Sequence, residues 1–234
     1  TVRFDQNHLK ATNAFRLNVA DKSRLEGIPV TALTQAAEEA RHRKEAGWTF
    51  TLHAPSYDPF MTYCQDRDLR RELYIAYNTQ AIQGKTSNVE IVRQIVNLRL
   101  QLAQLLGYRN YADYILEERM AEDIGHVRTL YEKLLEAYLP AARRDVEAVR
   151  QKARDEEGEA FELMPWDYAF YAERLRKALY DFDEEKLRPY FKLENVIEGV
   201  FGLAVRLYGI SFRENGAIPV FHPDAKAMEE LDAD

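Results

Sequence analysis

SNVEIVRQIVNLRLQLAQLLG, residues 87–107, decides the fold of this chain. At 100° per residue, Glu90, Arg93, Gln94, Asn97, Gln101 and Gln104 fall in one polar stripe about 100° wide. Val92, Ile95, Val96, Leu98, Leu102, Leu105 and Leu106 occupy most of the remaining circumference. This pattern predicts a helix from Ser87 to Leu106, buried on more than half its surface. Ser87 and Glu90 have capping-box spacing, and Gly107 supplies the stop. Arg99 points away from the polar stripe into the apolar side. A guanidinium placed there needs a partner, so the reading predicts an acidic residue or a polar cavity beside it.

Working outward, the same periodicity recurs on both sides. Residues 2–19 read as a helix with Phe4, Leu9, Phe15, Leu17 and Val19 on its inner face. After the Gly27-Ile28-Pro29 break, Val30 to Ala46 is Ala- and Glu-rich and stops at Gly47. Trp48 to His53 reads as a strand, with a short helix expected beyond Pro55 and another over Leu69 to Ile82. Tyr108, Tyr111 and Tyr114 stand three apart, on a short helix ending near Glu118.

A long amphipathic helix begins near Asp123, with Val127, Leu130, Tyr131, Leu134, Leu135 and Tyr138 inward and a kink expected at Pro140. Its far end, Arg143 to Glu159, is charged enough to predict a solvated arm. Helices follow over Pro165 to Tyr180, Asp183 to Tyr190 and Leu193 to Tyr208, then strands over Ile210 to Arg213 and Ala225 to Glu230. No strand is visible as a partner for the Ala225 to Leu231 run. The chain is read as one mostly helical unit, residues 1–234, with a sub-boundary near 158–164.

With 234 residues and 46% hydrophobic composition the chain can bury a sizeable core. A net charge of −7 argues against nucleic acid or an anionic membrane as main partner. Cys64 is the only cysteine, which rules out an internal disulfide and fits a cytoplasmic or periplasmic setting.

Several segments, taken in order, resemble the M3 family of zinc metallopeptidases, in particular its bacterial peptidyl-dipeptidase (dipeptidyl carboxypeptidase) branch. They are Leu25-Glu-Gly-Ile-Pro29, Gly47-Trp48 leading into Phe50-Thr-Leu-His-Ala-Pro-Ser56 and Phe60, and Arg67-Asp-Leu-Arg70. Leu98-Arg99 through Leu105-Leu-Gly-Tyr108, Asn110-Tyr-Ala112, Trp166-Asp167, Glu185 to Phe191, Leu207 to Ile210 and His222-Pro-Asp224 continue it. The resemblance implies a mainly α, multi-helix segment of a zincin-like (neurolysin-like) peptidase, with a few short strands near 48–53 and 210–231. It also implies a parent enzyme that releases C-terminal dipeptides from oligopeptides, with zinc activating water and a Glu as proton acceptor.

The zinc helix of that family carries H-E-x-x-H. The five histidines here, His8, His42, His53, His126 and His222, include no pair four apart, and none precedes Glu. The expectation is therefore a fragment: one wall of a substrate channel, inactive alone, with no catalytic, metal or substrate-binding residue assigned and no zinc of its own. Its expected partners are the missing catalytic half, oligopeptides in the parent, and further copies of itself. The alternatives are a stand-alone helical scaffold module or a degenerate family member without metal chemistry.

The other polar residues invite bland readings. His53 and His222 are expected at loop or strand ends, His126 on the surface, and Cys64 as a small core residue. Asp155, Glu156, Glu157 and Glu159 form a solvated charge run rather than a cation site. Trp166, Tyr168, Phe170 and Tyr171 are expected to pack rather than to line a peptide wall.

Overall fold

Side chains just ahead of the helices fix several of their starts. Asp66 accepts from Leu69 N at 3.0 Å, Asn110 from Asp113 N at 2.9 Å, and Asp123 from His126 N at 2.9 Å. Each satisfies an amide that a helical first turn leaves without a partner. The computed structural model describes residues 1–181, 187 and 190–232. It is mainly helical and forms two compact units, Thr1–Leu179 and Tyr180–Asp234.

The first unit contains α1 (Val2–Ala14), β1 (Leu17–Val19), α2 (Val30–His42), β2 (Trp48–Phe50), α3 (Ala54–Tyr63) and α4 (Arg67–Asn78). It continues with α5 (Val89–Leu105), α6 (Tyr111–Leu116), α7 (Ile124–Glu157) and α8 (Tyr168–Tyr180). The second unit contains α9 (Leu193–Tyr208), β3 (Ser211–Glu214) and β4 (Met228–Leu231). The expected helix over Asp183 to Tyr190 lies, but for Leu187 and Tyr190, outside the described residues.

The expected helix over 2–19 ends at Ala14. Leu17 to Val19 instead pairs antiparallel with β2, in the register Leu17↔Phe50, Asn18↔Thr49 and Val19↔Trp48. Period-two alternation explains the change, because Leu17 and Val19 then face the core while Asn18 turns outward. The expected Trp48–His53 strand stops at Phe50, and His53 becomes the N-cap of α3. Pro55 fits the first turn of α3, where a proline needs no amide donor. The main core gathers Leu17, Val19, Leu25, Ile28, Phe50, Phe60, Leu69 and Leu73 from β1, β2, α3, α4 and the turn before α2.

Two glycines hold this core because nothing larger fits. Gly27 has φ +88° and Gly47 φ +83°. An added Cβ would sit 2.3 Å from the Tyr63 carbonyl oxygen at Gly27, and 2.4 Å from that of Val19 at Gly47. Gly27→Ala therefore meets a left-handed backbone penalty of about 1–2 kcal/mol plus a backbone displacement. We expect a drop in urea midpoint larger than the left-handed penalty alone; an unchanged midpoint would contradict this packing.

The helix from the opening stretch begins at Val89, not Ser87, and its capping box does not form. Asn88 is the N-cap residue, and its buried side chain is engaged by α1 instead: it donates to Phe4 O at 3.0 Å and accepts from Asn7 Nδ2 at 3.1 Å. Nor is α5 mostly covered. Ala103 is its one buried residue, while Val96, Leu98 and Leu105 are exposed.

The long helix α7 inverts the expectation for its two halves. Leu130, Tyr131, Leu135 and Tyr138 are exposed, whereas Val149 and Ala153, in the supposed solvated arm, are buried against Phe170 and Tyr171. Charged stems can flank a thin apolar stripe, which Phe170 and Tyr171 of α8 cover here. Phe161 and Leu163, from the expected sub-boundary, pack onto this same cluster, and the units divide instead at Leu179/Tyr180. The assigned helix runs through Pro140 without interruption.

In the second unit Gly209, at φ +72°, ends α9 in the left-handed conformation that glycine favours. The strand near the end does have a partner: β4 pairs antiparallel with β3 from Ser211↔Leu231 to Glu214↔Met228.

Candidate functional site

The most heavily bonded polar cluster starts from two segments nearly a hundred residues apart. Asp66 caps α4, which sets Arg67 and Arg70 one turn apart near its start. Pro165 begins a single 3-10 turn that delivers Asp167 to them, fully buried. Its carboxylate accepts from Arg67 Nε at 3.1 Å and Nη2 at 2.7 Å, from Arg70 Nη2 at 2.9 Å, and from Met164 N at 3.1 Å. Arg70, only 1% exposed, spends its other donors on the carbonyls of Cys64 (2.7 Å), Gln65 (3.1 Å) and Trp166 (3.3 Å). The Arg70 guanidinium also lies 4.2 Å from the Phe170 ring centre, and that of Arg67 lies 4.5 Å from Phe161. Hydrogen bonding to Asp167 pushes the pKa of Arg67 up and keeps it charged.

Every oxygen of this carboxylate is engaged, so it has no free lone pair to present to a substrate. The cluster is a clamp tying α8 to α4. A buried ion pair of this kind is tolerable because its remaining donors are satisfied. Both segments, Arg67-Asp-Leu-Arg70 and Trp166-Asp167, stand among the motifs quoted above, but spacing alone did not reveal that they meet.

The other polar residues stand apart from one another. Among the described residues, no three His, Cys, Asp or Glu side chains converge to hold a metal ion. His8 and His42 are exposed on α1 and α2, and His53 is exposed at the start of α3. The His126 ring nitrogen lies 2.9 Å from Ala121 O, and His222 Nδ1 accepts from Asp224 N at 3.2 Å. In the acidic run, Glu156 pairs with Lys152 and Arg174, Glu157 accepts from Tyr171 OH, and Asp155 accepts from Gln151. Phe170 and Tyr171 are core residues, Trp166 is half-buried beside Tyr74, and Tyr168 is exposed.

Arg99 corrects the sequence reading. It is exposed and lies 5.2 Å from the Tyr111 ring centre, with no acidic partner among the described residues. The side of α5 that carries it is uncovered there, which removes the desolvation that would have demanded a counter-charge.

Cys64 is fully buried, and burial pushes its thiol from the ordinary 9.0 up to about 11. The folded state thus holds this proton more tightly than the unfolded chain. That contribution to stability is intact below about pH 9 and lost as pH rises towards about 11. Maleimide labelling at neutral pH should therefore be slow in the native protein and fast in urea. Rapid native labelling would refute the burial.

The residues of the clamp all fall within one known sequence pattern. The profile described as Peptidase family M3 matches residues 60–233, well over half of the chain. The chain belongs to peptidase family M3. This M3 chain is 36% identical to oligopeptidase A of Salmonella typhimurium over 98% of its own length. It is 40% identical to the organellar oligopeptidase A of Arabidopsis thaliana over 99%, and 36% identical to the dipeptidyl carboxypeptidase of Escherichia coli over 99%. It covers 34%, 30% and 34% of those three proteins, so it spans about a third of the length of the curated relatives it matches.

Proposed function

We propose that this chain is the helical, non-catalytic part of a longer zinc-dependent peptidase that hydrolyses short peptides, releasing C-terminal dipeptides. The observation that carries the proposal is the M3 match along most of the chain, together with relatives named oligopeptidase A and dipeptidyl carboxypeptidase. The residues present do not fit a zinc ion. The exposed His53 and His222 each lack two converging ligands among the described residues, and the buried Asp167 is saturated by arginines. Zinc, its ligands and the general base are therefore assigned to sequence outside this chain, and no catalytic step is routed through its residues.

In this reading α5 and α7 furnish one wall of the channel that admits extended peptides. Their uncovered apolar faces support that role, and they also favour self-association of the isolated chain. The single cysteine is consistent with a bacterial cytoplasm or periplasm.

The test begins with the reading frame beyond Asp234. An H-E-x-x-H helix followed by a further Glu is expected there; a stop codon soon after Asp234 would overturn the proposal. The longer polypeptide should cleave quenched oligopeptides in a chelator-sensitive manner, yielding dipeptides by mass spectrometry, while residues 1–234 alone yield none. Internal cleavage without dipeptide release would replace the dipeptidase specificity by an oligopeptidase one. Size-exclusion at several dilutions should show concentration-dependent association of the isolated chain; a clean monomer that binds no hydrophobic dye removes that part.

A further inference from the structure

Within the second unit, α9 packs across the β3–β4 hairpin and leaves a cavity of about 620 Å³. Leu193, Ile197, Phe201, Val205, Phe212 and Met228 form its apolar wall, with Phe201 stacked on Phe212 at 4.5 Å. The hairpin covers only this side of α9. Val196, Val200, Leu203 and Leu207, elsewhere around the helix, are exposed as well. A helix apolar around most of its circumference is a helix built to be buried. Four carboxylate and ammonium groups stand at the rim. Glu214 pairs with Lys226 at 3.1 Å, whereas Glu194 and Glu198, one turn apart on α9, have no basic partner among the described residues. Among the described residues the opening therefore combines an apolar floor with two negative charges that no base pairs.

We propose that this cavity is the seat of an apolar segment bearing a lysine or arginine, contributed by the metal-carrying part of the same longer polypeptide. The inference rests on the proposed function, and the length of the relatives gives it material: about two thirds of each lies outside the region this chain matches. A seat of this size takes several large side chains, and the basic residue sits opposite Glu194 and Glu198. The contact would couple the helical part to the catalytic part through apolar burial, with the charges fixing orientation.

Cysteine labelling tests this directly, since the native Cys64 is buried and poorly ionised. Ile197→Cys is placed both in residues 1–234 and in the longer polypeptide, with Lys22→Cys as the exposed control. N-ethylmaleimide labelling of residue 197, followed by peptide mass mapping, should slow roughly tenfold or more in the longer polypeptide, because access then requires local opening. The control should not change. Adding Glu194→Lys and Glu198→Lys should restore fast labelling at 197. Equal labelling in both lengths overturns the proposal, as does a reading frame that ends near Asp234. Protection that persists with both lysines overturns the basic-partner part of it. Peptide cleavage with an unprotected residue 197 would sink this inference and leave the proposed function standing. Protection without any cleavage would do the reverse.

Discussion

Asp167→Ala should cost the first unit about 3–5 kcal/mol, the range for removing one partner of a buried ion pair. The reason lies in what remains. Arg70 is 1% exposed and cannot swing into water, so the substitution leaves a buried cation facing a cavity. Its bonds to three backbone carbonyls hold it in place rather than neutralise it. Arg67 is different, because 42% of its side chain is exposed and rehydrates. Arg67→Ala should therefore cost only about 1 kcal/mol, near the upper end for exposed pairs. Both tryptophans, Trp48 and Trp166, lie in this unit, so intrinsic fluorescence during urea unfolding reads it selectively. Replacing Arg70 and Asp167 together by Met and Leu should recover much of the loss, since the only charge left without its partner is then the half-exposed Arg67, which rehydrates. An Asp167→Ala loss below about 1 kcal/mol would mean that the clamp is solvated in solution.

The clamp also marks where sequence reading stops. Helix boundaries were legible wherever local chemistry decides them. Leu193 to Tyr208 followed from an apolar run closed by Gly209, and the start near Asp123 from the apolar periodicity that begins at Val127. The mainly helical class followed from the same periodicity. The failures came where a distant element competed. Ser87 and Glu90 had the spacing of a capping box, yet α1 engages the side chain of the intervening Asn88 and the helix starts at Val89, two residues later. Leu17 and Val19 suited a helix as well as a strand, until β2 supplied a partner of matching period. The polarity of a helix predicts that a face wants cover, but not whether a neighbour provides it, which is why α5 and the first half of α7 were misjudged. Arg67-Asp-Leu-Arg70 and Trp166-Asp167 were each visible as segments. Their meeting depends on how α5, α6 and α7, which separate them along the chain, are arranged, information no spacing contains.

Phe60→Ala should be the other severe lesion, at about 3–5 kcal/mol for a buried phenylalanine. Phe60 is fully buried, and its ring meets Phe50 edge to face with centres 4.6 Å apart. Phe50 belongs to β2, so this contact joins the two-stranded sheet of β1 and β2 to α3. Truncation removes the largest buried side chain of α3 from the centre of the cluster, and the surroundings cannot collapse freely. On two sides the backbone is already at contact limits, with Gly27 against Tyr63 and Gly47 against Val19. Phe60→Leu keeps most of the volume and should cost less than half as much. The lesion should also reach the clamp, because Phe60 O anchors the amide of Cys64, and Cys64 O in turn receives Arg70. Phe60→Ala should accordingly speed native maleimide labelling of Cys64 in step with the loss of stability, whereas Arg67→Ala, at the exposed edge, should leave that rate nearly unchanged. If Phe60→Ala destabilised the unit while Cys64 stayed as protected as in the parent, the α3–α4 corner would be held by the clamp alone. The core and the ion pair would then be independent supports rather than one.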